Sequence, residues 1–163
     1  MAEKIMPQEI NAEQAVLGSM FISKYALQKA VESLNKDLFY LDSHAKIFTV
    51  LSDLAEQGKP IDITTVTAEL DKRKLLKQIG DVDYLTEVIT SVASAANIDE
   101  YIKIVEEKAI LRRLIEESTS IIESAYNSTD DISETLDNAE KKILSVVKTR
   151  KGTEFRTIQE VML

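Results

Sequence analysis

Nothing between Ile98 and Tyr126 breaks a helix. These 29 residues contain neither glycine nor proline, and Asn97 with Glu100 forms a capping-box pair at their start. At about 1.5 Å per residue such a helix reaches roughly 43 Å. A folded bundle of about a hundred residues has a radius of gyration of only about 13 Å. A straight helix of this length outruns such a globule, so the chain is expected to divide into a globule and an arm.

The residues after Tyr126 give the arm its form. A polar turn at 127–130 leads into a second helical pattern from about Ile132 to Val147. Its apolar stripe is Ile132, Leu136, Ala139, Ile143 and Val146, answered on the first arm by Leu111, Leu114, Ser118, Ile121 and Ala125. Two such stripes joined by a short turn predict an antiparallel helical hairpin. The small Ser118, Ala125 and Ala139 let the axes approach closely. Ile110, Ile115, Ile122, Leu144 and Val147 widen the apolar face beyond what one hairpin can bury against itself. Each fully buried Leu or Ile contributes roughly 1.5–3 kcal/mol, a large share of typical domain stability. The hairpin is therefore expected to pack on a second copy or on a partner; the competing reading folds it back along the globule.

The preceding residues read as short helices separated by turn signals. Asn11 and Gln14 suggest a start for the first, with Val16, Leu17, Met20 and Phe21 at helical spacing. A second covers about Ala26 to Leu34, and 35–41 is a loop carrying Phe39 and Tyr40 towards the core. Asp42 is expected to cap a third helix that Gly58 and Pro60 stop. Asp62 caps a fourth with Val66 and Leu70 inside. After Gly80, Val82, Leu85, Val88 and Ile89 form a fifth, and 93–96 is a turn. Thr149 to Gly152 reads as a polar, basic linker, and Thr157 with Glu160 opens another capping box. The fold class is thus all-α: a compact bundle of five or six short helices followed by a long antiparallel hairpin. The expected divisions are 1–96, 97–148 and 149–163. Met1 at one end and an apolar, uncapped stop at Leu163 suggest an amino-terminal piece of something longer.

Composition excludes several functions. Glycine and proline total six, cysteine is absent, and the net charge is −8. An acidic chain lacks the basic face that displaces counterions from phosphates, so direct binding to DNA is not expected. The local cluster Lys72, Arg73, Lys74 and Lys77 reads as a solvated helix end. No cysteine means no disulfide or thiolate metal site. No signal-peptide core occupies the first residues, and no run approaches the roughly 20 apolar residues that span a bilayer. A cytoplasmic location is the expectation. None of Gly18, Gly58, Gly80 and Gly152 begins a phosphate or dinucleotide loop. His44 is the sole histidine and reads as a packed imidazole. Adjacent carboxylates such as Glu106–Glu107, Glu116–Glu117 and Asp130–Asp131 do not face each other across a cleft. No catalytic, cofactor or metal residue is therefore assigned, and a small helical hydrolase finds no converging ligands.

Four stretches carry a resemblance. They are Ala12-Glu13-Gln14-Ala15-Val16-Leu17-Gly18-Ser19; Phe39-Tyr40 followed by His44, Ile47 and Phe48; Gly58-Lys59-Pro60-Ile61-Asp62; and Ser94-Ala95-Ala96-Asn97-Ile98 continuing through Tyr101, Ile104-Val105-Glu106-Glu107-Lys108 and Leu111-Arg112-Arg113-Leu114-Ile115. In this order they resemble the amino-terminal domain of bacterial replicative DNA helicases of the DnaB type. The family often has paired glycines where Gly80-Asp81 stands, and a proline where Ala93 stands, so local loop geometry departs there.

The resemblance implies a non-catalytic assembly and primase-docking module of a hexameric, ATP-dependent helicase that unwinds DNA at the replication fork. It implies self-association through the hairpin into dimers and a hexamer built as a trimer of dimers, with docking of the carboxy-terminal domain of DNA primase. A helicase loader is a further candidate partner. ATP and magnesium would belong to a motor domain beyond this chain, and residues 149–163 would hold the start of a linker helix. Tyr84, Ile115 and Ile121 are the primase-coupling candidates by the same resemblance. Leu111, Leu114, Leu136, Ile143 and Val147 are the self-association candidates, with packing inside a single hairpin as their alternative. A free-standing helical adaptor, or a loader-like interaction protein, is the other functional reading.

Overall fold

The computed structural model describes the backbone of residues 4–129 and 131–162, and the side chains of these residues up to 150. The described residues form eight α-helices and no strand. They are α1 Ile10–Ile22, α2 Lys24–Ser33, α3 Asp42–Glu56, α4 Ile63–Lys72, α5 Leu76–Ile79, α6 Asp81–Thr90, α7 Ile98–Tyr126 and α8 Ile132–Met162, with a 3-10 turn at Lys36–Leu38. Two compact units result, Gln8–Ala109 on one side and the residues leading to Pro7 with those from Ile110 onward on the other. The division falls twelve residues into α7, not at its start, because Ile98, Ile102 and Val105 are buried in the globular core.

Helix α1 is the axis of the globule. Ala12, Ala15, Val16, Leu17 and Met20 are all buried, and Gly18 allows it to meet α6 at backbone distance. A Cβ on Gly18 would lie 2.5 Å from the Val88 carbonyl oxygen and 2.9 Å from Val92 Cγ2. Around it close Ile47, Leu51 and Leu54 of α3, Leu70 of α4 and Leu85 of α6. Phe39 packs on Phe48 with ring centroids 5.0 Å apart.

The helix ends follow local chemistry, with three corrections to the expected starts. Glu9, not Asn11, caps α1, its Oε1 accepting the Asn11 N–H at 3.3 Å. Ser23 caps α2 two residues earlier than expected, accepting from the Ala26 amide. Asp42 is the first residue of α3 and not its cap; it pairs with Lys46 one turn on, at 2.7 Å. Asp62 does cap α4, accepting from the Thr65 amide at 2.7 Å. Gly58 adopts φ +69°, the left-handed geometry that closes a helix end without steric strain.

Tyr40 does not turn into the core as expected but is exposed, whereas Phe39 is buried. Successive residues of extended chain point to opposite sides, so burying Phe39 turns Tyr40 outward.

Helix α8 is continuous from Ile132 to Met162. Thr149–Gly152 therefore lies within a helix where a linker was expected. Only Gly152 opposes helix there, at about 1 kcal/mol relative to Ala, and Thr149 folds its hydroxyl back onto the Ser145 carbonyl at 3.0 Å. The capping-box side chains of Thr157 and Glu160 lie outside the described residues.

Candidate docking surfaces

The second unit is an antiparallel hairpin of α7 and α8. Lys142 Nζ donates to Ser120 Oγ at 2.6 Å, and the hydroxyls of Ser128 and Thr135 meet at 2.8 Å beside the turn. Near its other end the Arg112 guanidinium donates to the Pro7 carbonyl at 2.8 Å, tying the amino-terminal segment to α7. One seam of the hairpin is sealed: Val146 is buried, and Ser118, Ile121 and Ala139 are half-buried. The rest of the apolar face is open. Leu136 is 62% exposed and Ile132 72%, while Leu111, Leu114, Ile143 and Val147 range from 37% to 43%. The hairpin thus presents uncovered Leu, Ile and Val side chains on both helices. A groove near the turn is lined by Ile121, Ala125, Leu136 and Ala139, with Lys141 and Lys142 at its edge.

Of the primase-coupling candidates, Ile115 is exposed and Ile121 half-buried, both on α7 in the hairpin unit. Tyr84 stands on α6 in the globular unit and is half-buried. Its hydroxyl meets His44 Nε2 at 2.5 Å, and the two rings lie edge to edge, within 17° of coplanar, with centroids 5.9 Å apart. The other imidazole nitrogen, Nδ1, lies 2.8 Å from Glu13 Oε1. Glu13 also accepts the backbone N–H of Tyr40 at 2.7 Å and of Leu41 at 3.4 Å, the amides just ahead of α3. With a carboxylate oxygen as acceptor, Nδ1 carries the proton; in the neutral ring Nε2 is then the acceptor and Tyr84 the donor. Burial pushes the Tyr84 phenol above its ordinary value, and the charges of Glu87 and Glu13 push the same way.

Glu13 is 2% exposed and His44 fully buried. The packed-imidazole reading of His44 holds, but its pairing with Glu13 was not read from the sequence. A signal existed. Glu13 stands on a helix whose neighbours are nearly all apolar, and His44 shares the α3 stripe of Ile47, Phe48 and Leu51. Two polar groups at core positions require each other's hydrogen bonds.

The basic cluster on α4 and α5 is partly consumed within the globule. Arg73 bridges Asp53 at 2.9 Å and Glu69 at 2.9 Å. Among the described residues no group of His, Asp and Glu is arranged to hold a metal ion, and no helix is long and apolar enough to cross a membrane.

The fold and the sequence have counterparts among known proteins. The DnaB-like helicase N terminal domain profile matches residues 5–107. The chain belongs to that family. The replicative DNA helicase DnaC of Bacillus subtilis (strain 168) is 44% identical over 161 residues, which cover 99% of this chain and 36% of the relative. The replicative DNA helicase DnaB of Geobacillus stearothermophilus is 43% identical over 162 residues, again 99% of this chain and 36% of the relative. The chain therefore spans about a third of the length of these helicases. The crystal structure of the N-terminal domain of DnaB helicase from Mycobacterium tuberculosis superposes with a TM-score of 0.82 at 40% identity, covering 86% of this chain and 99% of that one. A structure of a DnaB-like replicative helicase, described with its interactions with primase, gives a TM-score of 0.70 at 26% identity, covering 90% of this chain and 35% of that one. The DnaB-like N-terminal fold thus includes both the globule and much of the hairpin.

Proposed function

We propose that this DnaB-like domain is the assembly and docking module of a replicative DNA helicase. The observation that carries the proposal is the uncovered apolar face of the hairpin. Five side chains, Leu111, Leu114, Leu136, Ile143 and Val147, each keep more than a third of their surface open to water. Covering them with a second copy regains the hydrophobic stabilisation that one hairpin forgoes. On this reading the chain pairs through its hairpin, the pairs build the hexamer, and the domain receives the carboxy-terminal domain of primase at Tyr84, Ile115 and Ile121. ATP and magnesium belong to the motor segment of the longer protein, which works in the cytoplasm on the replication fork. The loader, where there is one, is a further partner of the same assembly.

Light scattering at micromolar concentration tests the first half: a mass above that of one 18.3 kDa chain is expected, and a strict monomer overturns pairing through the hairpin. Titration with the cognate primase tests the second. Ile115→Asp and Ile121→Asp should weaken binding while the circular dichroism stays helical; unchanged affinity removes those two residues from the docking surface.

A further inference from the structure

Beyond the docking surface itself, the globule contains a hydrogen-bonded chain that joins three helices and surfaces at one point. Glu13 of α1 is buried, His44 of α3 is buried, and Tyr84 of α6 alone among the three retains solvent access. The links are short, 2.8 Å from Glu13 Oε1 to His44 Nδ1 and 2.5 Å from His44 Nε2 to Tyr84 Oη. A tyrosine at a surface otherwise chooses among staggered rotamers with its hydroxyl in water. Here the hydrogen bond to the imidazole fixes the direction of the hydroxyl and holds the ring nearly coplanar with the imidazole, 17° apart. The imidazole is itself held in one tautomer by Glu13, whose second oxygen is anchored by the Tyr40 amide. Gly80 makes room for the base of this side chain, since a Cβ there would meet Tyr84 Cβ at 2.7 Å.

We infer that Glu13 and His44 are positioning residues for partner binding: they hold the Tyr84 hydroxyl and ring in the one orientation that a docked primase meets. This rests on the reading of Tyr84 as part of the primase-docking surface. A group already oriented loses less freedom on association. Its hydroxyl donates inward and so offers only lone pairs outward, which selects a hydrogen-bond donor on the partner. The chain thus makes the α6 site specific for a donor-bearing surface, and the ring face supplies the apolar contact.

The test is a double-mutant cycle on the full chain, with cognate primase affinity as the readout and thermal unfolding as the check on folding. Tyr84→Phe keeps the ring and removes only the hydroxyl; affinity should fall about threefold to tenfold, the range for one hydrogen bond. His44→Gln should fall similarly, and in the Tyr84→Phe background it should add less than a further twofold. A purely structural histidine would lower affinity equally in both backgrounds, and that additive result overturns the inference. Should His44→Gln fail to fold, Tyr84→Phe decides alone: affinity equal to the parent chain's, beside a clear loss for Tyr84→Ala, overturns the positioning role. If Tyr84→Ala also binds as the parent does, the docking reading of α6 falls instead.

Discussion

Replacing Glu13 separates a buried acceptor from a buried volume. The carboxylate takes three donors, the Tyr40 and Leu41 amides and His44 Nδ1, at a site 2% exposed. Glu13→Leu keeps the bulk and removes every acceptor. His44 can recover by moving its proton to Nε2 and donating to Tyr84, but the two amides cannot. Each unsatisfied buried donor costs about 1–3 kcal/mol, so Glu13→Leu should destabilise by about 2–5 kcal/mol. Glu13→Gln retains one oxygen for the Tyr40 amide and offers an N–H to His44 Nδ1, which accepts it after the same proton shift; only the Leu41 amide, the longest of the three contacts at 3.4 Å, loses its acceptor. Its loss should be about 1–2 kcal/mol, from that one weak contact and from exchanging charge-assisted for neutral hydrogen bonds. Guanidinium unfolding followed by circular dichroism measures both. Thermal midpoints should drop by roughly 5–15 °C for Leu and by only a few degrees for Gln. A Leu variant within about 1 kcal/mol of the parent, or equal losses for the two, would refute the argument that this carboxylate serves as the amide and imidazole acceptor.

Gly18→Ala should cost about 1–3 kcal/mol by thermal unfolding, because the new methyl meets the rigid Val88 carbonyl at 2.5 Å. Gly58→Ala meets nothing within 4 Å, so only left-handed strain of about 1–2 kcal/mol remains; a cost above that of Gly18→Ala would contradict the packing described. Leu136→Asp should raise the dissociation constant of the paired chain at least tenfold in sedimentation, since a side chain 62% exposed in one copy would put a carboxylate into the joint. The Asp62 carboxyl is held below its ordinary value of 3.8 by the Thr65 amide that it caps. Its folded-state pKa being the lower one, the cap's stabilisation is full above about pH 4 and fades as pH falls through the folded value. Acid unfolding of Asp62→Asn should therefore show a weaker pH dependence below that point, and an unchanged slope would exclude this contribution.

Much of the architecture is readable from residues close together in the chain. Ile98 to Tyr126 is one helix because nothing in it opposes helix, and the Asp62 cap and Gly58 stop are local chemistry. The starts of α1, α2 and α3 differ from expectation by one or two residues; at α1 two candidate caps, Glu9 and Asn11, compete within a turn. Gly152 has the look of a break, yet a single glycine within a long helix costs too little to end it. The exposed apolar stripe of the hairpin is legible as a surplus, since counting Leu, Ile and Val against one seam requires only periodicity.

Sequence alone thus determined that the chain is helical, where most of its turns fall, and that its long arm carries more apolar surface than it can hide. Only the tertiary structure decided that Glu13, His44 and Tyr84, separated by 31 and 40 positions, form one hydrogen-bonded chain. It also decided that the first three turns of α7 belong to the globule. The physical reason is range: helix formation is governed by neighbours within four residues, whereas the partner of a buried polar group is chosen by how distant helices pack.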